Sequence, residues 1–444
     1  MAAIGSAVGL GTLWMFPYIT GENGGGLFVL IYLGFTIVIG VPVFIAELVL
    51  GRSSQRGAVG TFDALAHHSK NWRLIGWLAV LGTLIVMSYY QVIAGWGLNY
   101  ILLSLNNFAQ GRSPEQISRV FDILSHSPDI TLFFMFLFTL ITAAMVYQGI
   151  QKGIERWSKI MTTSLLILLI GLLFYSMTLD GFSEAARFVF YPDPTRLTAS
   201  GVLTALGLSL FTLSLGQGIM ITYGSYLRPS DDIPKTAGIV VASDVIISIL
   251  AVLMIFPIVF TFGLEPSGGS GLVFKTLPVL FGRVPATLLV SVAFFVLFVF
   301  TALTSAVAML EVLVANFMDL YQWSRKRSTL ISTALILFFG IPCALSGTPY
   351  LFPRWVEMYG MTYFDTMSTL VSTWILPTIA LFTSIFVGWK VPRDQVRVAF
   401  SEGTSVPSFF TPWRWLIRYL VPFAIIIVML QEAGIINVDK WFGA

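Results

Sequence analysis

Two clusters of glycine mark where this sequence could do chemistry. SAVGLGT carries Gly5, Gly9 and Gly11, and FTLSLGQG carries Gly216 and Gly218, each inside a long apolar stretch. Glycine costs about 1 kcal/mol per interior helical position relative to alanine, so these clusters predict interrupted helices. The freed amides and carbonyls must then be satisfied by protein or by a ligand. Interruptions at corresponding places in two halves of a membrane chain point to a transport site near the bilayer midplane. Read alone, the same glycines fit close small-residue helix packing equally well. Four acids, Glu47, Asp244, Asp319 and Asp365, lie within or beside apolar stretches, where an ionisable side chain is functional by default. Asp244 supplies either a fixed or protonatable negative charge, or a protonated hydrogen bond to a neighbouring helix. One cysteine, Cys343, and three histidines exclude an intramolecular disulfide, an iron–sulfur cluster and a cysteine-based zinc site. With no nucleophile–base pair or phosphate loop in view, the chain is read as a non-enzyme.

These residues need elements to hold them, and composition says which. Of 444 residues, 56% are apolar and 11% charged, where a soluble domain carries roughly 25% charged residues. That balance excludes a soluble enzyme and a nucleic-acid-binding tail. Apolar runs between charged or turn-forming clusters give eleven candidate spans, at 1–20, 27–50, 74–106, 130–149, 157–178, 199–226, 236–263, 286–316, 328–346, 361–388 and 413–431. Their length and continuity exclude a transmembrane barrel. With the amino end inside, 17 of the 25 Lys and Arg fall in cytoplasmic loops and 8 outside. The bias predicts amino end in, carboxyl end out. Absence of any Asn-x-Ser/Thr acceptor and short outside loops favour a prokaryotic inner membrane.

The residues at the breaks, and those around them, resemble the neurotransmitter:sodium symporter family. The match runs in order through SAVGLGTLWMFPY, ENGGGLFVLIY, Gly40 to Gly51, Tyr89-Tyr90, KGIERWSKI, FTLSLGQG, SGLVFKTLP and ALTSAVAM, nearly the whole chain. The resemblance implies the fold of the bacterial leucine transporter: all-α, five-plus-five inverted repeat, with helices 1 and 6 broken. Residues 1–178 would form the first repeat and 199–388 the second. Residues 389–444 would supply a cytoplasmic loop, helix 11 and an extracytoplasmic tail.

By resemblance, the Leu10 and Gly11 amides and the Tyr90 hydroxyl take a substrate carboxylate. Carbonyls of Ala7, Phe211 and Ser214, with Thr212, take its amine. Monoamine carriers of the family place an aspartate where Gly9 stands, so Gly9 argues for an amino acid. The side-chain pocket would be lined by Val86, Tyr90, Phe211, Ser214, Gln217, Ser305 and Met309, an uncharged wall suited to a neutral amino acid. Gln217 replaces an aromatic of the leucine transporter and predicts either a small substrate with water beside it or a polar neutral one.

The family's second sodium site maps onto carbonyls of Gly5, Val8 and Thr301 and hydroxyls of Thr304 and Ser305. The first maps onto Ala7, Thr12, Thr212 and Ser243, with hydroxyls where the family has asparagine at Thr12 and Ser243. It is expected to be weaker, reshaped or empty, with coupling resting on the second site and fewer than two sodium ions per cycle. The chloride-binding serine of helix 7 maps onto Ile247, yet Asp244 lies three residues earlier on the same face. Transport is therefore expected to be independent of chloride, with proton antiport a further consequence. Glu47 is expected to brace the broken sixth helix.

For gates, Asp365 remains but its arginine partner is Met15, so Asp365 is expected to be unpaired and outer closure to rest on Tyr90 and Phe211. Asp319 matches the inner gate acid, whose basic partner would precede residue 1. Either the true start lies upstream or the inner latch is missing. Gly153 lacks the proline that completes the helix-5 hinge of the family. The reading is a sodium-coupled symporter importing a neutral amino acid across a lipid bilayer, without a nucleic-acid partner. The alternative is an uncoupled channel or substrate sensor on the same fold.

Overall fold

The computed structural model describes residues 5, 7–67, 69–193, 195, 197–264 and 271–436. Ser6 and Ser270 of the quoted motifs, and the tail from 437 onward, lie outside the described residues. Helices account for the regular structure, and no strand occurs among the described residues. Among the described residues nine helices are long and apolar enough to cross a membrane: α2 (Gly26–Ser54), α3 (Lys70–Leu105), α4 (Pro128–Tyr147), α5 (Ile150–Ser176), α7 (Ile233–Thr261), α8 (Thr287–Tyr321), α9 (Arg325–Ala344), α10 (Tyr363–Lys390) and α11 (Pro407–Glu432). The two glycine-rich segments are broken and shorter. The first, α1, covers Gly11–Met15 and Phe16–Glu22 after a bend at residues 8 and 9. The second is split into α6a (Ala199–Thr212) and α6b (Ile219–Gly224).

Prolines shape these helices in a regular way. Pro17, Pro42, Pro278, Pro377 and Pro422 each follow by two residues a widened π-helical turn, at Gly11–Met15, Thr36–Gly40, Leu272–Thr276, Leu370–Ile375 and Leu416–Leu420. A proline ring collides with the carbonyl four residues back and cannot donate to it. Widening the preceding turn relieves the collision and keeps the helix continuous.

Packing places the breaks at the centre. The long α3 and α8 pack on each other and carry α4, α5 and α9, while α2 packs against α6b and α7. The start of α1 meets α7, and α6b meets α8. Thus each broken segment has a continuous helix beside it to accept its unpaired backbone.

Candidate functional site

At the first break, backbone meets side chains from two long helices. The Leu10 amide points at the Tyr90 hydroxyl of α3 at 3.4 Å, and that hydroxyl is also hydrogen-bonded to Ser305 of α8. A Cβ on Gly9 would lie 2.6 Å from Ser305 Oγ and 3.8 Å from the Tyr90 hydroxyl. Only glycine lets the break sit this close, so an aspartate here would displace Ser305. Leu10, Tyr90 and Ser305 are all buried.

The second break needs a different conformation. Ser214, Gly216 and Gly218 have φ of 55°, 76° and 70°, the left-handed region that side chains with a Cβ resist. The Gly216 amide donates to Glu47 Oε1 at 2.8 Å, and the Gln217 carbonyl accepts from the Thr83 hydroxyl at 2.6 Å. Glu47 thereby ties α2 to the unwound segment. A Cβ on Gly216 would also meet the Leu376 carbonyl of α10 at 2.6 Å. Gly216→Ala is therefore expected to destabilise the protein by about 1–3 kcal/mol. A lowered thermal midpoint in detergent checks this, and an unchanged one refutes it.

Between the breaks lies a buried cluster of hydroxyls around one carboxylate. Thr12 Oγ1 donates to Asp244 Oδ1 at 2.9 Å, and the Tyr32 hydroxyl approaches Asp244 Oδ2 at 3.4 Å. Tyr32 is also hydrogen-bonded to Thr212 Oγ1 at 2.9 Å. Thr12, Tyr32 and Asp244 are 0% exposed and Thr212 2%, so the Asp244 carboxyl group sits among hydroxyl groups away from solvent.

The expectation for Ser243 is corrected here. Its hydroxyl donates back to the Ile239 carbonyl at 2.7 Å and is half-exposed, away from Thr12 and Thr212. One residue along a helix is a turn of about 100°, and it is Asp244 that faces the cluster. One turn on, Ser248 is fully buried beside Tyr32 on the same face as Asp244. Tyr32, on α2, was absent from the expected set, although it stands within the ENGGGLFVLIY motif.

The residues assigned to the second sodium site also converge. Thr304 Oγ1 lies 3.5 Å from the Val8 carbonyl and donates to the Thr301 carbonyl at 2.8 Å. Gly5 abuts Thr304 and Thr162, and Thr162 Oγ1, on α5, is buried without a partner. Thr162 adds an oxygen that sequence reading passed over. Carbonyls and hydroxyls without a carboxylate suit a hard monovalent cation. Among the side-chain wall, Val86, Gln217 and Met309 are buried, and Gln217 Oε1 has no hydrogen-bond partner.

The gate positions differ from expectation. Asp365 has no basic partner among the described ion pairs but is hydrogen-bonded to Thr362, whose Oγ1 donates to its Oδ2 at 2.7 Å and accepts from its amide at 3.1 Å, Thr362 being the N-cap of α10. Met15 and Phe211 line a cleft of about 240 Å³ with Ile19, Leu203, Thr373 and Glu432. Asp319 is packed against Gly60 and Arg56 of the segment after α2. A second inner contact was not foreseen. Arg325 forms a two-pronged ion pair with fully buried Glu311 at 2.7 and 2.8 Å, and Tyr226 donates to Glu311 Oε1 at 2.6 Å. Helix α5 runs unbroken from Arg156 to Ser176 after a π-helical turn around Gly153.

Two broken helices facing each other inside an all-helical membrane bundle, with carbonyl and hydroxyl oxygens gathered at the breaks, have the architecture of a membrane transporter. Residues 1–113 and 116–441 match the Sodium:neurotransmitter symporter family, and the chain belongs to it. It is 40% identical over 438 residues to the uncharacterized sodium-dependent transporter YhdH of Bacillus subtilis strain 168, covering 98% of this chain and 96% of the relative. An uncharacterized sodium-dependent transporter of Haemophilus influenzae is 32% identical, covering 97% and 96%. The crystal structure of MhsT in complex with L-phenylalanine superposes with a TM-score of 0.88 at 39% identity, covering 97% of this chain and 96% of that one. Fold and kinship therefore give a multi-pass, sodium-coupled membrane transporter, not an enzyme.

Proposed function

We propose that this protein imports a neutral amino acid with sodium by alternating access between two inverted repeats, residues 1–178 and 199–388. The carrying observation is the convergence of the Leu10 amide, Tyr90 and Ser305 at one break, opposite the unwound backbone of the other. Half-helix ends of opposite polarity suit a zwitterion, the amide end meeting its carboxylate and the carbonyls of Ala7, Phe211 and Ser214 its ammonium. No charged side chain stands among the assigned wall residues, which favours an uncharged substrate side chain.

Sodium is assigned to two places. Gly5, Val8, Thr301, Thr304 and Ser305 form one, and Ala7, Thr12, Thr212 and Asp244 the other. A carboxylate in the second group suits a cation better than the hydroxyl of Ser243 would, and it favours two sodium ions per cycle over one. Asp244 also supplies a fixed negative charge inside the bundle, in keeping with uptake that does not require chloride. The amino end and the loop between α10 and α11 are placed on the cytoplasmic side of a prokaryotic inner membrane by the lysine and arginine bias.

Uptake of radiolabelled amino acids into proteoliposomes tests this reading. Accumulation above the outside concentration is expected with an inward sodium gradient and with gluconate replacing chloride. A channel or sensor would only equilibrate the label, and that result would overturn the reading. For selectivity, the unpaired Gln217 side-chain Oε1 favours a substrate with a side-chain donor or a small one with bound water. Glycine, alanine, serine and glutamine are expected to compete better than leucine or tryptophan. The ligand of MhsT supports a bulkier hydrophobic substrate, and strong preference for phenylalanine in the same panel would establish that class instead.

A further inference from the structure

On the side assigned to the cytoplasm, the junction of α10 and α11 carries a basic pocket that transport does not use. Arg393, Arg414 and Arg418 line it with Phe410, Trp415 and Tyr419, around a volume of about 170 Å³. Arg414 Nη2 donates to the Gly388 carbonyl at 3.3 Å. The Arg418 guanidinium lies 3.9 Å from the Trp389 ring centre and 5.4 Å from that of Tyr419. Two further donors, Arg414 Nη1 and Arg418 Nε, are shut off from solvent and have no hydrogen-bond partner. Among the described residues no carboxylate forms an ion pair with any of the three arginines. The acids nearest in sequence, Asp394 and Glu402, do not line the pocket. Three like charges with unpaired, enclosed donors need an anion, because a buried charged donor without an acceptor is costly.

The surroundings say which anion. Trp389, Trp415 and Tyr419 are 55%, 56% and 46% exposed, as expected of aromatic side chains at a membrane–water interface. From Tyr419 an exposed apolar stripe continues along the same face of α11 through Phe423 and Ile426. At 1.5 Å per residue it runs about 10 Å toward the bilayer centre. A guanidinium cluster at headgroup depth with an apolar track leading inward fits a phosphate attached to acyl chains. We propose that this pocket binds the phosphate of an anionic phospholipid of the inner leaflet, with Arg393, Arg414 and Arg418 as its ligands and Tyr419, Phe423 and Ile426 as the acyl-chain track.

Native mass spectrometry of the purified full-length protein tests the assignment, with phosphatidylglycerol, phosphatidylethanolamine of the same chains and inorganic phosphate as probes. One phosphatidylglycerol is expected to be retained in preference to phosphatidylethanolamine, with affinity falling about five-fold for each arginine removed. Arg414→Gln with Arg418→Gln should therefore abolish the preference, bringing phosphatidylglycerol retention down to that of phosphatidylethanolamine. Arg393→Gln, on the exposed helix Arg393–Ser401, gives the single five-fold step should the double variant not fold. Equal retention of both lipids, or retention of phosphatidylglycerol unaffected by these substitutions, would overturn the site. Displacement of the lipid by millimolar inorganic phosphate would reassign the pocket to a soluble anion and overturn the lipid. The readout is lipid binding, so it does not depend on the transport reading.

Discussion

Asp244→Ala is expected to lower the apparent affinity for sodium by about 100-fold or more, leaving uptake at background under ordinary sodium gradients. Removing even an indirect partner of a metal ligand costs about 10- to 100-fold in affinity, and here the group lost is the one carboxylate of the cluster. Its removal also strips the Thr12 and Tyr32 hydroxyls of their acceptor, so the neighbouring oxygens are no longer oriented. Asp244→Asn separates the two roles. An amide oxygen still ligates a cation while the charge is gone, so a smaller loss is expected. Sodium titrations of initial uptake rate check both variants. Unchanged sodium dependence in Asp244→Ala would show that coupling rests entirely on the Thr304 and Ser305 site.

Arg325→Ala is expected to cost about 3–5 kcal/mol of stability, the penalty for leaving one member of a buried ion pair alone. Glu311 is fully enclosed and takes both guanidinium nitrogens as well as the Tyr226 hydroxyl. Arg325 also reaches the Val146 carbonyl at 3.4 Å, so one residue joins α8, α9, the end of α4 and the segment after α6b. Glu311→Ala should behave similarly, and the double alanine variant should recover part of the loss, because no charge is then stranded. Thermal unfolding in detergent measures all three. A double variant no better than the sum of the singles would show that packing, not the pair, is responsible. The contact ties four segments together independently of Asp319.

Much of the site was legible because its determinants are local. Gly5, Gly9, Gly11, Gly216 and Gly218 report their breaks directly, since a missing Cβ changes the conformations a residue adopts wherever the chain goes. The phase of α7 was not legible. A helix surrounded by protein on some sides and lipid on others is apolar all round, so its pattern carries no marker of which face points inward. A reading one residue out of register therefore chose Ser243 over Asp244. The Glu311–Arg325 pair escaped notice because its members belong to different helices and nothing in their spacing marks the turn that brings them together.

By itself, the sequence determined the solvent this protein lives in, the order of its long apolar runs, the places where two of them break, and the family to which it belongs. The solvent, the apolar runs and the breaks follow from composition and from backbone preferences that act within a few residues, and the family from motifs that occur in order along the chain. Tertiary structure alone decided that Asp244 faces the hydroxyls of Thr12 and Tyr32, that Asp365 bonds to the capping Thr362, and that Arg325 pairs with buried Glu311. It also decided that three arginines share one pocket at the membrane surface. Those outcomes depend on helix rotation and on contacts across tens to hundreds of residues, and a hydrogen bond about 3 Å long tolerates no error in either.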